Sequence, residues 1–302
     1  MSDNFKVLFF GDVVGRPGRE ALKSVLAPDG AYFEQYREEL NSDFIIVNAE
    51  NASHGFGLTL KNHDELLSYG VHCLTSGNHI WDKKDVYQYI DNSNALIRPY
   101  NYHKTARGVG YRIFNDKILV INLLGKTFMQ PVNCPFQAIE ELCEKLNFED
   151  KIVIVDYHAE ATAEKIAFAK FASTLGVSAV VGTHTHVQTA DEKIIDEKLA
   201  YITDVGFLGA YESVIGMDFE SSIKRLVTSI PERFDVAESE KLQINAVKIT
   251  FNKENNLPVE IKRINFLIDK RNKEGETWRS ICTFTQPTLT APLAPRWLLI
   301  PQ

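Results

Sequence analysis

Five short apolar runs in this chain each end on residue types that ligate metal ions, and this coupling constrains the fold more than any other feature. Lys6 to Phe10 runs into Gly11-Asp12, and Phe44 to Val47 into Asn48-Ala49-Glu50-Asn51. Val71 to Leu74 leads through Thr75-Ser76 to Gly77-Asn78-His79. Ile152 to Val155 runs into Asp156-Tyr157-His158, and Ala179 to Val181 into Gly182-Thr183-His184-Thr185-His186. Ligands of open α/β sheets gather beyond the carboxyl ends of the strands. If the five runs share one sheet core and one polarity, a single rim collects Asp, Glu, Asn and three or more His. Such a rim is a dinuclear metal site, whose usual chemistry is hydrolysis.

Apolar runs alternate with helical stretches through most of the sequence, which predicts an α/β layered fold. Helices are expected up to Leu26, around Tyr32 to Leu40, over Asp85 to Ile90, over Ala138 to Leu146, and from Ala163 to Leu175 before Gly176. Val109 to Phe114 and Ile118 to Asn122 flank Asn115-Asp116, a hairpin signal. Leu199 to Thr203, Leu242 to Phe251 and Val259 to Phe266 read as further strands. Mixed strand directions predict two packed sheets flanked by helices. One domain is expected over 1–268. A proline-bearing tail follows over 269–302, and its apolar Trp297 to Ile300 could dock on the body or on a second subunit.

The formal net charge of -7 argues against non-specific binding to duplex nucleic acid, which relies on clustered Lys and Arg. The four cysteines form no Cys-x-x-Cys pair, so a thiolate zinc site is not expected and a reducing compartment is. No run approaches a membrane span and the start lacks a signal-peptide layout, so the expected setting is the cytoplasm.

His184 and His186 sit two apart, which in extended backbone points both imidazoles one way. The same pair also suits metallo-β-lactamase-like or amidohydrolase sites, but Val187-Gln188-Thr189 follows it and it comes late in the chain. Gly77-Asn78-His79 suits an Asn ligand beside a His that reaches substrate, or else a simple turn. Asp12 and Glu50 offer anionic oxygens. Asp156 stands two residues before His158 and is a candidate partner for a ligand imidazole. Arg16, Arg19 and His54 are candidate substrate contacts, whereas His63, His72 and His103 read as packing or surface residues. Gly11, Gly15 and Gly18 lack the spacing of a dinucleotide-binding loop.

As a set, these pieces resemble the calcineurin-like metallophosphoesterases, and more closely their YmdB-like bacterial branch. The stretches that carry the resemblance are FGDVVGRPGR, NAENASHGFGLT, SGNHIWDKK, DYHAEATAEK, VGTHTHVQTAD and YITDVG, with GMD at 216–218. It spans residues 5 to 266 and implies a four-layer α/β/β/α sandwich. It also implies two metal ions, Fe or Mn by preference and Zn or Co otherwise. Asp12, Glu50, Asn51 and His186 would hold one ion. Glu50, Asn78, His158 and His184 would hold the other, with Glu50 as the bridge. A hydroxide shared by the metals would attack phosphorus while His79 assists the leaving oxygen. The implied substrates are small phosphodiesters, cyclic nucleotides of the 2′,3′ or 3′,5′ kind among them, and a homo-oligomer is compatible with the apolar tail. The alternative is a metal-dependent regulatory protein that binds a nucleotide without turnover. The broader superfamily's early Asp-x-His reads Asp12-Val13-Val14 here. Ile80 stands where an acidic residue usually follows Gly-Asn-His, which leaves the orienting partner of His79 undefined.

Overall fold

The computed structural model describes residues 4–231 and 233–270. Two six-stranded mixed sheets face each other. The first contains β1 (Asn4–Val13), β2 (Phe44–Asn48), β3 (Cys73–Thr75), β10 (Phe207–Ala210), β11 (Lys241–Asn252) and β12 (Pro258–Asp269), in the order β12-β11-β10-β1-β2-β3. The second contains β4 (Tyr111–Phe114), β5 (Ile118–Leu124), β6 (Ile152–His158), β7 (Ala179–Thr183), β8 (Lys193–Ile195) and β9 (Leu199–Ile202), in the order β4-β5-β6-β7-β9-β8. The five apolar runs therefore do not share one sheet. Three belong to the first sheet and two to the second.

Both faces of each sheet are covered, which is why the central strands read as continuous apolar runs. Side chains alternate along a strand, so Val7 and Phe9 of β1 enter the core between the sheets while Leu8 and Phe10 face the helices. Ile46 and Val47 divide in the same way. On the second sheet Ile154 and Val181 point inward, and Val155 and Val180 point to the outer helices. Helix α1 (Gly15–Leu26) buries Ala21, Leu22 and Val25 against the first sheet, joined there by α3 (Leu60–Ser68) and α4 (Val86–Tyr89). Helices α5 (Pro135–Leu146) and α6 (Thr162–Ser173) cover the second. The result is the four-layer sandwich.

The hairpin loop is Asn115 to Lys117, with Asn115 and Asp116 at positive φ (49° and 56°) inside a turn closed by Lys117 N bonding Phe114 O at 3.1 Å. The helix expected from Tyr32 to Leu40 shrinks to one turn, α2 (Phe33–Tyr36). Its aromatics instead pin β12: Tyr36 stacks on Phe266 at 3.8 Å, and the Tyr32 hydroxyl bonds both backbone groups of Asp269. Helix α7 (Phe219–Thr228), capped by Asp218 accepting from Ser221 N at 2.9 Å, had no expectation from sequence, nor did α3, β8 or β10. Among the described residues no helix is long and apolar enough to cross a membrane. The proposed docking segment Trp297 to Ile300 lies outside the described residues.

Candidate metal centre

Strands β1, β2 and β3 run parallel, and so do β5, β6 and β7, so each trio delivers its carboxyl ends to one edge. The two edges meet. Asp12 lies in register with Asn48 of β2 and Phe207 of β10. Its neighbour must be glycine, because a Cβ at Gly11 would stand 2.0 Å from the Gly206 carbonyl oxygen. Past β2, Asn48 Oδ1 accepts from Glu50 N at 3.1 Å and turns the chain inward. From the other sheet come His158 at the end of β6, and His184 and His186 just beyond β7.

All seven expected ligands converge. Glu50 Oε1 lies 3.0 Å from His158 Nε2, which is also 3.0 Å from Asn78 Oδ1 and 3.0 Å from His184 Nδ1. Donor atoms of Glu50, His158 and His184 fall within 4.8 Å of one another. Next to them, Asn51 Nδ2 lies 3.0 Å and Asp12 Oδ1 3.7 Å from His186 Nε2. The extended-backbone reading of the histidine pair is corrected: β7 stops at Thr183, and His184 and His186 take positive φ of 100° and 61°. The loop therefore sends them to different sides of the cluster.

The protein fixes each ring from its far side. His186 Nδ1 donates to Ile215 O at 2.8 Å and His158 Nδ1 to Thr183 Oγ1 at 2.9 Å, while His184 Nε2 lies 3.1 Å from Glu160 Oε2. The first two partners assign the tautomers of His186 and His158, so the other nitrogen of each of these rings, when neutral, carries a lone pair turned into the cluster. Asp156 acts one step back: it accepts from Thr183 Oγ1 at 2.6 Å and Asn48 Nδ2 at 3.0 Å rather than from a histidine. The histidine loop is anchored by a fully buried ion pair. Lys165 Nζ lies 2.8 Å from Asp204 Oδ2 and donates to Thr183 O at 2.7 Å, while Asp204 accepts from Thr185 N at 3.0 Å.

Charge in the cluster is unbalanced. Burial raises the Asp12 carboxyl well above its ordinary range. Burial also opposes ionisation of Glu50, but His158 and then His79 hold it at about 2. Burial alone would lower His158, yet Glu50, Asp12 and Asp156 push it up to about 9. His184 falls to about 3 through burial and the neighbouring His158. The His158 ring thus answers the carboxyl groups of Glu50, Asp12 and Asp156. Asp12 Oδ1 and Asn51 Oδ1 are buried with no hydrogen-bond partner, which buried polar atoms rarely tolerate. Orphaned oxygens, converging lone pairs and an oxygen/nitrogen donor set without thiolate fit hard-to-borderline cations.

His79 stands at the lip. Its backbone N donates to Glu50 Oε2 at 3.0 Å, and its Nδ1 lies 2.8 Å from Asp82 Oδ2. Asp82 is the partner that Ile80 left undefined, displaced by two positions because residues 79 to 82 form a turn closed by Asp82 N bonding His79 O at 3.0 Å. A cavity of about 450 Å³ opens on the cluster between these residues and α7. Arg16 and Arg19 do not reach it. They are spent on Glu238 and Glu65, and with His54 they line a separate cleft behind Phe56 and Phe234. His63 bonds Ser93 and Asp64, His72 stacks on Phe44, and His103 bonds Thr105, all as packing or surface residues. A larger cleft of about 1100 Å³ along β4 touches none of the expected ligands, and the Arg98 guanidinium within it donates to backbone carbonyls.

Comparisons with known proteins find relatives over most of the chain. The YmdB-like protein family matches residues 8–264. The 2′,3′-cyclic-nucleotide 2′-phosphodiesterase of Bacillus subtilis is 42% identical over 262 residues, covering 86% of this chain and 96% of that protein. The crystal structure of a novel phosphatase from Mycoplasma pneumoniae superposes with a TM-score of 0.79 at 35% identity, covering 89% of this chain and 95% of that one. A hypothetical protein from Thermus thermophilus superposes with a TM-score of 0.77 at 34% identity, over 87% and 99% of the two chains. The chain belongs to the YmdB-like family of metallophosphoesterase-related proteins.

Proposed function

We propose that this protein is a dinuclear-metal phosphodiesterase that hydrolyses cyclic nucleotides, 2′,3′-cyclic ones foremost. The observation that carries the reading is a buried cluster of metal-type donors with orphaned oxygens, beside a histidine braced by a carboxylate at the mouth of a cavity. The 2′,3′-cyclic-nucleotide 2′-phosphodiesterase activity for which the Bacillus subtilis relative is named supports the choice of substrate. Asp12, Glu50, Asn51 and His186 would hold one cation; Glu50, Asn78, His158 and His184 would hold the other, with Glu50 shared. Fe or Mn suits this donor set, as do Zn and Co. When bound, such cations supply positive charge for the phosphoryl oxygens and a water nucleophile near neutral pH.

The chain's own residues do the rest. Asp82 fixes the His79 ring through Nδ1, which leaves Nε2 to protonate or hydrogen-bond the departing ribose oxygen. Glu50 clamps the His79 backbone, so the leaving-group histidine and the shared ligand move together. Thr183 and Asp156 hold His158 in the tautomer that presents Nε2. Cys73, Cys134 and Cys143 are free thiols, which suits the reducing cytoplasm proposed as its setting.

The test is hydrolysis of bis-p-nitrophenyl phosphate and 2′,3′-cyclic AMP by Mn²⁺-loaded protein, with His184→Ala and His79→Ala beside it. His184→Ala should lose turnover of both. His79→Ala should keep its metal yet lose roughly 10²–10⁴ in rate on the cyclic nucleotide. Binding of the cyclic nucleotide by fully loaded protein without any turnover would replace the enzyme with a nucleotide-binding regulator.

A further inference from the structure

The cavity beside the cluster is chemically two-sided. One end is Glu50, His79 and His184; the other is Phe56, Phe234 and α7. Aromatic rings run in series from one end to the other. His79 meets Phe56 edge-on at 4.9 Å, Phe56 lies 6.4 Å from Phe234, and the Arg225 guanidinium sits over the Phe234 ring at 4.4 Å. Ser222, Arg225 and Leu226 line this end from α7. Their i, i+3 and i+4 spacing places them on one helix face. Leu226 is 76% exposed, an apolar side chain left to water beside a cavity. Ser222 is 2% exposed and its Oγ has no hydrogen-bond partner, although the neighbouring Ser221 hydroxyl is bonded to Asp218 O at 3.2 Å.

We propose that this apolar end is a nucleobase subsite, with Phe234 as the stacking platform, Leu226 covering the ring edge and the Ser222 hydroxyl available to a polar edge of the base. The proposal rests on the cyclic-nucleotide reading above and adds what selects a nucleotide over other phosphodiesters. A base is the ligand part that fits. Its flat faces stack on aromatic rings, its rim carries hydrogen-bonding groups, and its attached phosphate is delivered to the ligand cluster a ring or two away. Arg225 keeps Phe234 oriented through cation–π contact. A peptide or lipid phosphate has no comparable flat group to spend on this wall.

The test compares two five-membered cyclic diesters in Mn²⁺-loaded protein, 2′,3′-cyclic AMP and the base-free glycerol 1,2-cyclic phosphate, with ring opening followed by phosphorus NMR. Wild-type protein should prefer the nucleotide by tenfold or more in kcat/KM, the scale of one base–aromatic stack. Phe234→Ala and the volume-retaining Phe234→Leu should each collapse that ratio, mainly through KM. Both should also weaken adenosine 3′-monophosphate binding about tenfold in calorimetry. Ser222→Ala should lower the ratio severalfold. Equal kcat/KM for the two substrates in wild-type protein, or an unchanged ratio in both Phe234 variants, overturns the subsite while leaving a phosphodiesterase in place. Failure to open either substrate overturns the enzymatic reading itself, and the subsite with it.

Discussion

Replacing Gly77 with alanine probes how rigidly the two sheets hold the proposed ligands. Gly77 does not use a positive φ, so its lack of a side chain is a matter of space alone. A Cβ there would stand 2.3 Å from Glu50 Oε2 and 2.4 Å from His158 Nε2. Ordinary contact begins near 3.4 Å, so each group must retreat by about 1 Å. Both are fully enclosed and already bonded, Glu50 Oε2 to His79 N and His158 Nδ1 to Thr183 Oγ1. Overpacking of this kind costs about 1–3 kcal/mol in stability. A 1 Å misplacement of reacting groups costs about 10²-fold in rate. Gly77→Ala should therefore stay folded, bind substoichiometric Mn²⁺ by plasma mass spectrometry and lose about 10²-fold in kcat/KM. Gly70→Ala is the control. It carries a φ of 87° that strains any other residue, yet nothing lies within 4 Å of its Cβ. It should lose comparable stability and keep its metal. Full metal content and near-normal turnover in Gly77→Ala would show that the backbone yields, and that the tight cradle around Glu50 and His158 does not exist.

Two further outcomes follow from the same geometry. Asp82→Ala frees the His79 ring; a charge-assisted bond is worth about 1.5–3 kcal/mol. Because the Asp82 side chain is 45% exposed, about 1 kcal/mol is the expected share. Turnover of 2′,3′-cyclic AMP should fall about fivefold. Bis-p-nitrophenyl phosphate should be nearly unaffected, since p-nitrophenolate departs without a proton; equal losses on both would argue against an acid role for His79. In metal-free protein His158 is raised from 6.5 to about 9, so its stabilising contribution is complete below pH 6.5 and is lost as pH rises through 9. A cation must displace that proton, so Mn²⁺ affinity should rise about tenfold per pH unit from 7 to 9. A flat calorimetric profile would remove His158 from the ligand set.

The strand ends were legible because burial on both faces writes an unbroken apolar run, and the residue after the run is free to be polar. Asp12, Glu50, Asn78 and His158 could all be picked out that way. The sheet to which each strand belongs could not: Val7 and Leu8 look alike in sequence, although one faces the second sheet and the other faces a helix. His184 and His186 were found through a mistaken conformation, since no local signal announces that β7 ends at Thr183. The groups that brace the ligands were the least legible. Asp82 lies two positions beyond the place where an acidic partner usually stands, and nothing in the sequence marks Thr183 as the brace between Asp156 and His158. Lys165 and Asp204 are 39 residues apart, so only tertiary structure makes them a pair. Their sequence trace was membership of DYHAEATAEK and YITDVG, two of the stretches that carry the family resemblance.

Neither sheet owns the centre. Asp12, Glu50 and Asn78 hang from the first sheet, and His158, His184 and His186 from the second, so the 3.0 Å contact between Glu50 and His158 spans the sandwich. The spacing across that gap is set by the inter-sheet core of Phe9, Ile46, Ile154 and Val181, all fully buried and none of them a ligand. Cores of this density transmit small volume changes rather than absorbing them. Ligand geometry is therefore a property of apolar packing one or two residues below the rim. A cation held by donors from both sheets would fasten them, and its binding free energy would add to folding stability by mass action. The buried oxygens of Asp12 and Asn51 that lack a hydrogen-bond partner would be the other side of that linkage, since a cation bridging the two halves would satisfy them.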